Sequence, residues 1–326
     1  MIRVGIIGGA GYTAGELLRI LLRHPHVTIA FVQSQSHAGS PVSSVHQDLV
    51  GETDLTFTSE LQTSVDVLFL CQGHGQALQF LQKNSVPEQV RIIDLGNDFR
   101  LKESAAIGNR RFIYGLPELY GNQIREARSI ANPGCFATAI QLALLPLAAK
   151  QLLRHEIHVH AITGSSGAGQ SLNETVHFTW RSNNLSVYKA FTHQHLGEIR
   201  QSLKELQPDF TTDLNFIPVR GNFTRGIFAT VYLDCPLTEL EAKNLYHDFY
   251  QEAVFTHLTD SEEIHLKQVV NTNKCLLKVS KYGKKLLITS VIDNLLKGAS
   301  GQAVQNMNLM FALPEDEGLR LKATYF

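Results

Sequence analysis

The chain has 326 residues, with 29 Lys or Arg against 30 Asp or Glu for a formal net charge of -1, and 44% of it is hydrophobic. That length allows two hydrophobic cores, and the balance of charge leaves no broad cationic surface for a nucleic-acid backbone or an anionic membrane, so neither partner is expected. Cys71, Cys135, Cys235 and Cys275 lie far apart with no CxxC pair, which argues against a disulfide framework or a zinc site and for free thiols in a reducing compartment.

Met1-Ile2-Arg3-Val4-Gly5 enters a strand at once, without the segments of a secretory signal, and the longest apolar stretch, 137–149, contains Gln141 and Pro146 and is too short to span a bilayer. A cytoplasmic protein is expected. The run Ile2 to Ile7 predicts a buried strand, the turn Gly8 to Gly15 follows, and Gly15 to Leu22 has helical spacing. A glycine-rich turn between a strand and a helix lets backbone N–H groups hold a pyrophosphate, which makes Gly8, Gly11, Tyr12, Thr13 and Ala14 dinucleotide-binding candidates. The second strand, Val27 to Val32, leads into Gln33-Ser34-Gln35-Ser36-His37 instead of the acidic residue that binds a ribose 2′-hydroxyl. Ser34 and Ser36 therefore suit the 2′-phosphate of NADP. Further strands at Val65 to Leu70 and Ile92 to Leu95 complete the pattern of a Rossmann-type parallel sheet in an α/β fold.

Ala131-Asn132-Pro133-Gly134-Cys135 opens an apolar helix, with Asn132 as a candidate N-cap and Pro133 at the first helical position. Cys135 then falls in the first turn, where the helix dipole favours thiolate. A small core cysteine is the competing reading, and partners elsewhere decide between them. From about Gln151 the texture changes to an α+β domain with a mostly antiparallel sheet. Strands are expected at Ile157–Thr163, Leu214–Val219, Gly226–Leu233, Ile264–Val270, Cys275–Val279 and Leu286–Ile292, with helices from His193 to Leu206 and Leu237 to Ala253. A last helix near Gly301 to Phe311 is assigned to the first domain, giving a dinucleotide-binding domain of 1–134 with 302–326 and a catalytic domain of 135–301.

The loop Gly164-Ser165-Ser166-Gly167-Ala168-Gly169 allows close approach of a ligand, and His193-Gln194-His195 offers an acid and base for Cys135, although a helix-start histidine on a surface is the common alternative. No third ligand accompanies the two imidazoles, so no metal is expected. Arg100, in Asp98-Phe99-Arg100, and Arg220, in Pro218-Val219-Arg220-Gly221, are candidates to bind a phosphate or carboxylate.

In order along the chain, Gly11-Tyr12-Thr13, Asp98-Phe99-Arg100-Leu101, Tyr114-Gly115-Leu116-Pro117-Glu118, Asn132-Pro133-Gly134-Cys135, Ser166-Gly167-Ala168-Gly169, His193-x-His195, Pro218-Val219-Arg220-Gly221 and Asp293-Asn294 to Asn306 resemble the N-acetyl-gamma-glutamyl-phosphate reductase family of arginine biosynthesis. Ala14 and Gly197 depart from the glycine and proline usual there. The resemblance implies a Rossmann domain joined to a domain like that of aspartate-semialdehyde dehydrogenase, NADP as cofactor, Cys135 as nucleophile and His195 as acid and base. It implies substrate binding by Arg100, Asn132, His193 and Arg220, further cofactor contacts from Ser166, Gly167 and Asn294, and a homodimer or homotetramer. The same chemistry on an N-succinyl or carrier-linked substrate, aspartate-semialdehyde dehydrogenase activity, and a non-catalytic dinucleotide sensor are the alternatives.

Overall fold

In the computed structural model, which describes residues 1–73 and 75–326, the first apolar run is strand β1 (Ile2–Ile7) and the helical spacing after the turn is helix α1 (Tyr12–Leu21). Strands β2 (Val27–Gln33), β3 (Phe57–Thr58) and β4 (Val67–Leu70) follow, then α2 (Gln76–Lys83) and β5 (Arg91–Asp94). A small hairpin pairs β6 (Ala106–Ile107) with β7 (Arg110–Arg111), ahead of β8 (Ile113–Tyr114), α3 (Pro117–Glu126) and β9 (Ser129–Ala131). The sheet order is β3-β2-β1-β4-β5-β9-β8, every pair parallel. The order reverses at β1, so the crevice beyond its C-terminal end, where such sheets bind ligands, is lined by the glycine-rich turn. Gly8 there has φ +78, and a Cβ on it would press on the Gln72 backbone at 3.1 Å. His46 braces the turn, its Nε2 lying 2.7 Å from the Gly9 carbonyl oxygen.

Helix α4 (Cys135–Ala149) begins the second half and is buried on nearly every side, which is why its sequence is apolar all round rather than striped. Pro146 inside it has no N–H for the Leu142 carbonyl, and the Tyr250 hydroxyl donates to that carbonyl instead, at 2.6 Å. The Tyr246 hydroxyl donates to Ala143 one residue on. Around α4 come β10 (Ile157–Thr163), α5 (Phe178–Arg181), β11 (Ser186–Val187), α6 (His195–Leu206), β12 (Leu214–Arg220), β13 (Ile227–Asp234), α7 (Glu239–Tyr250), β14 (Thr256–Leu258), β15 (Cys275–Tyr282) and β16 (Lys285–Ile292). Their sheet runs β11-β12-β10-β13-β16-β15-β14, antiparallel except for β10 with β12 and β14 with β15.

The expected strand at Ile264–Val270 is absent. In its place is a 3-10 turn, Leu266–Gln268, because the Gln268 side chain accepts the His265 N–H at 2.8 Å and satisfies locally what a sheet partner would have satisfied. The helix expected from His193 starts at His195. Helix α8 (Ser300–Met310) is buried along its length despite Gln302, Gln305, Asn306 and Asn308, and the amides of the two asparagines hold loops of the first unit. Asn306 donates to the Gly115 carbonyl at 2.9 Å, and Asn308 to those of Glu315 and Glu317 at 3.2 and 2.9 Å. By internal contacts the chain forms one unit of Met1–Pro133 with Ala299–Arg320, and a second of Gly134–Gly298 with Leu321–Phe326. No helix among the described residues is long and apolar enough to cross a membrane.

Candidate active site

Cys135 is the first residue of α4, and the residue that caps the helix is Gly134, with φ -73 and ψ 152. Asn132, expected as the cap, is not one. Its backbone N–H extends the β9 ladder to the Asp94 carbonyl at 2.8 Å, its side chain donates to Ala299 O at 3.0 Å, and its Oδ1 accepts from Asn306 at 3.1 Å. Pro133 likewise precedes the helix. The capping turn has no room for a side chain: a Cβ on Gly134 would lie 2.3 Å from His195 Nε2. On the other side, a Cβ on Gly298 would lie 2.7 Å from the Cys135 Cβ. Cys135 is partly exposed, whereas Cys235 and Cys275 are buried and desolvation pushes the Cys71 thiol up.

His195 and Glu198 stand three residues apart on α6, hence on one face. Their side chains are 8% and 4% exposed, and Glu198 Oε1 lies 3.7 Å from His195 Nε2. The other oxygen, Oε2, accepts the Gly134 N–H at 2.9 Å. One buried carboxylate thus holds both the imidazole and the residue before the cysteine. His193 precedes the helix, and its Nδ1 accepts the His195 N–H at 3.3 Å. Its ring packs edge-on against Phe136, Tyr188 and Phe216, at centroid distances of 5.6, 5.8 and 5.5 Å. Burial, aided by the Lys189 charge, pushes its pKa down to about 4, so it is neutral at physiological pH.

The Arg220 guanidinium lies over the Tyr188 ring, 4.7 Å from its centroid, and Nη1 is 3.4 Å from Thr175 Oγ1. Its Nε is buried without a hydrogen-bond partner among the described residues. Burial first, and the Cys135 charge second, push the Tyr188 hydroxyl up to about 12 against the pull of Arg220. That hydroxyl is therefore a neutral donor. Arg181 fixes the neighbourhood, donating to the carbonyls of Thr175 and Arg220 and to Ser186 Oγ at 2.9, 2.8 and 3.1 Å.

The second unit also brings together three residues expected to touch the cofactor. Asn294 donates to Ser166 Oγ at 3.0 Å, a Cβ on Gly167 would meet Asn294 at 3.9 Å, and Asn294 Oδ1 accepts the Gly226 N–H at 2.7 Å. Asp293 anchors that loop from a fully buried position. It pairs with Arg225 through two hydrogen bonds of 3.1 Å and accepts the N–H groups of Asn271, Leu295 and Leu296 at 2.7, 2.8 and 3.1 Å.

In the first unit, Gly8, Gly11, Tyr12, Thr13 and Ala14 form the turn and the start of α1, while Ser34 and Ser36 follow β2 with their hydroxyls 3.5 Å apart. The first turn of α1 holds no acidic residue and no side-chain cap, and beside Gly11 a Cβ would meet nothing nearer than Gly8 O at 4.0 Å. This is an open cradle of N–H groups suited to a pyrophosphate. Arg100 is 5% exposed, and it donates to the carbonyls of Asn132 at 2.8 Å and Leu95 at 3.0 Å. It holds the chain end that leads to Gly134. Sequence reasoning missed Glu198, Tyr188 and the Arg225–Asp293 pair; only the i, i+3 spacing of His195 and Glu198 gave a signal.

The model of the semialdehyde dehydrogenase NAD binding domain matches residues 3–127, and that of the semialdehyde dehydrogenase dimerisation domain matches residues 135–294. The fold resembles aspartate semialdehyde dehydrogenase II from Vibrio cholerae with a TM-score of 0.73 at 16% identity, over 96% of this chain and 98% of that one. It also resembles the Candida albicans aspartate semialdehyde dehydrogenase solved with NADP, with a TM-score of 0.71 at 14% identity over 96% and 99% of the two chains. Proteins named N-acetyl-gamma-glutamyl-phosphate reductase from Christiangramia forsetii and Flavobacterium johnsoniae are 60% and 57% identical to it, each match covering 100% of both chains. Identity of that order from end to end shows that the chain belongs to the N-acetyl-gamma-glutamyl-phosphate reductase family.

Proposed function

We propose that the chain catalyses the NADPH-dependent reduction of N-acetyl-gamma-glutamyl phosphate to N-acetylglutamate 5-semialdehyde and phosphate, a step of arginine biosynthesis, through a thioester on Cys135. The observation that carries this is the bridge from Glu198 to both His195 and the Gly134 N–H, directly before the cysteine. The Cys135 thiolate, favoured by the helix start, attacks the acyl carbonyl and expels phosphate. N–H groups at the start of α4 face the developing oxyanion. His195 holds the proton exchanged as thiolate and leaving groups change charge, and Glu198 offsets the imidazolium. Arg220, with a spare Nε and the Tyr188 hydroxyl beside it, takes an anionic group of the substrate. Arg100 and Asn132 act through the backbone they hold. His193 supports the His195 turn and lines the pocket.

The cradle at Gly8, Gly11, Tyr12, Thr13 and Ala14 fits the pyrophosphate of NADP, and Ser34 and Ser36 fit its 2′-phosphate because no carboxylate stands between them to repel it. Ser166, Gly167 and Asn294 are assigned to the same cofactor. When bound, NADPH supplies the hydride that reduces the acyl group.

The test is an assay in the phosphorolytic direction, offering N-acetyl- and N-succinylglutamate semialdehyde and aspartate semialdehyde with phosphate and either NADP or NAD. The N-acetyl substrate with NADP is expected to be used best, and Cys135→Ser to be inactive. Wild-type turnover by Cys135→Ser would remove the assignment, and a preference for aspartate semialdehyde would replace the substrate.

A second copy of the chain is the partner we assign to the outer face of the second sheet and its β11 edge. Phe178, Leu185, Val187 and Phe191 are more than half exposed there. Exposed apolar side chains at a sheet edge suit an interface, and the matching family model is described as a dimerisation domain. Light scattering should give a homodimer or a multiple of it. Four free thiols suit action in the cytoplasm.

A further inference from the structure

The groups that acyl transfer needs come from one unit. Cys135, His195, Glu198 and the start of α4 all lie within Gly134–Gly298, whereas the glycine-rich turn and the Ser34 loop lie within Met1–Pro133. The arrangement is held by the second unit's own bonds: Glu198 to the Gly134 N–H at 2.9 Å, His193 Nδ1 to the His195 N–H at 3.3 Å, and the Asp293 loop that sets Gly298 against Cys135. None of these contacts involves a residue of the glycine-rich turn or of the Ser34 loop. Cys135 as a residue is only partly buried, so water has access to this end of α4.

We infer that the protein also transfers acyl groups to water in the absence of nucleotide, acting as a thiol esterase and acyl phosphatase on activated esters and acyl phosphates. This rests on the assignment of Cys135 as nucleophile. In the first step the Cys135 sulfur bonds to the carbonyl carbon, and the bond from that carbon to the leaving oxygen breaks. Phosphate or a phenolate departs with the electron pair. The proton that His195 took from the thiol passes to the leaving group or to solvent, which restores the neutral imidazole. In the second step water adds to the thioester carbonyl while His195 takes its proton, and the carbon–sulfur bond breaks to return thiolate and a carboxylic acid. Nothing is oxidised or reduced. An imidazole backed by a buried carboxylate serves water as it serves the thiol, because both present it with one proton to remove. Hydride and water then compete for one thioester, so saturating NADPH suppresses hydrolysis of the acyl phosphate.

The experiment uses the full-length, nucleotide-free enzyme with p-nitrophenyl acetate. A burst of about one nitrophenol per subunit is expected, followed by steady turnover, with one acetyl group on Cys135 in the intact mass. Cys135→Ser, and alkylation of the wild type by iodoacetamide, should both remove burst and turnover. His195→Asn should slow turnover about 10²-fold or more while the acetyl-enzyme persists. Phosphorolytic activity is measured on the same preparations. If that activity depends on Cys135 while nitrophenol release is the same in wild type and Cys135→Ser, the inference fails and the reductase reading stands. A burst without turnover overturns it too. If Cys135→Ser keeps phosphorolytic activity, the reductase reading itself fails.

Discussion

Asp94, at the end of β5, is fully buried; Oδ1 accepts the Gly96 N–H at 2.8 Å, and Oδ2 has no hydrogen-bond partner among the described residues. Desolvation pushes its pKa from 3.8 to about 7, against the opposing pull of the Gly96 N–H and the Arg100 charge. The unfolded carboxyl ionises near its ordinary value while the folded one keeps its proton to near neutrality. Its contribution to stability is therefore full below pH 3.8 and is lost as pH rises through about 7. Roughly three units at about 1.36 kcal/mol each set a ceiling near 4 kcal/mol, and relaxation around the buried charge brings the expected value to about 2 kcal/mol. Asp94→Asn cannot ionise and keeps a carbonyl oxygen for the Gly96 N–H. Its new NH2 adds a cost that does not change with pH. The stability of Asp94→Asn minus that of wild type should thus rise by about 2 kcal/mol between pH 4.5 and 8. Scanning calorimetry at pH 4.5, 6 and 8 without nucleotide measures it through the melting temperature. A difference constant across that range would refute the reasoning.

Three further substitutions test the site. Glu198→Gln keeps an oxygen for the Gly134 N–H but loses the charge 3.7 Å from His195; an attraction of about 4 kcal/mol at an effective dielectric of about 20, offset by desolvation to roughly half, leaves a fall in kcat/KM of roughly 30- to 100-fold with nucleotide KM unchanged. His193 is held neutral, with a pKa of about 4 against 6.5 unfolded, so its contribution to stability is present above pH 6.5 and lost as pH falls through 4. Thermal scans should show His193→Phe gaining on wild type only in that acid range. Ser34→Asp should raise the KM for NADP about tenfold or more, some 1.4 kcal/mol, and leave that for NAD in place, because only the 2′-phosphate meets the new carboxylate.

Residues whose roles come from local pattern were legible in the sequence. The run of β1, the glycine turn and the spacing of α1 are adjacent in the chain, and so are Cys135 and its apolar helix. Long-range bonds hid the rest. Asn132 has the side chain of an N-cap, yet the β9 ladder keeps its backbone extended and the carboxylate of Glu198, 64 residues away from Gly134, takes the N–H next to the helix. Arg100 reads as a spare guanidinium, but carbonyls at Leu95 and Asn132 claim its donors, and no pattern announces a carbonyl in need of one. Tyr188 stands in a segment with no period at all. At Ile264–Val270 the apolar content reads as a strand, but one glutamine side chain closes a turn there instead.

Helix α8 has a consequence for how the protein is made. The first unit contains residues 1–133, but its polar buried helix arrives with residues 299–320, after the main segment of the second unit, 134–298, has been synthesised. The amino-terminal half of a nascent chain must wait for the helix that packs on α1 and α3, while the segment 134–298, which lacks only the tail 321–326 of its unit, closes first. The usual order of domain folding on the ribosome is inverted. A chain cut after Gly298 should give a protease-resistant core beginning near Gly134 and an amino-terminal part open to cleavage; equal resistance of both parts would count against this. Chaperone demand during synthesis should therefore fall on the nucleotide-binding half.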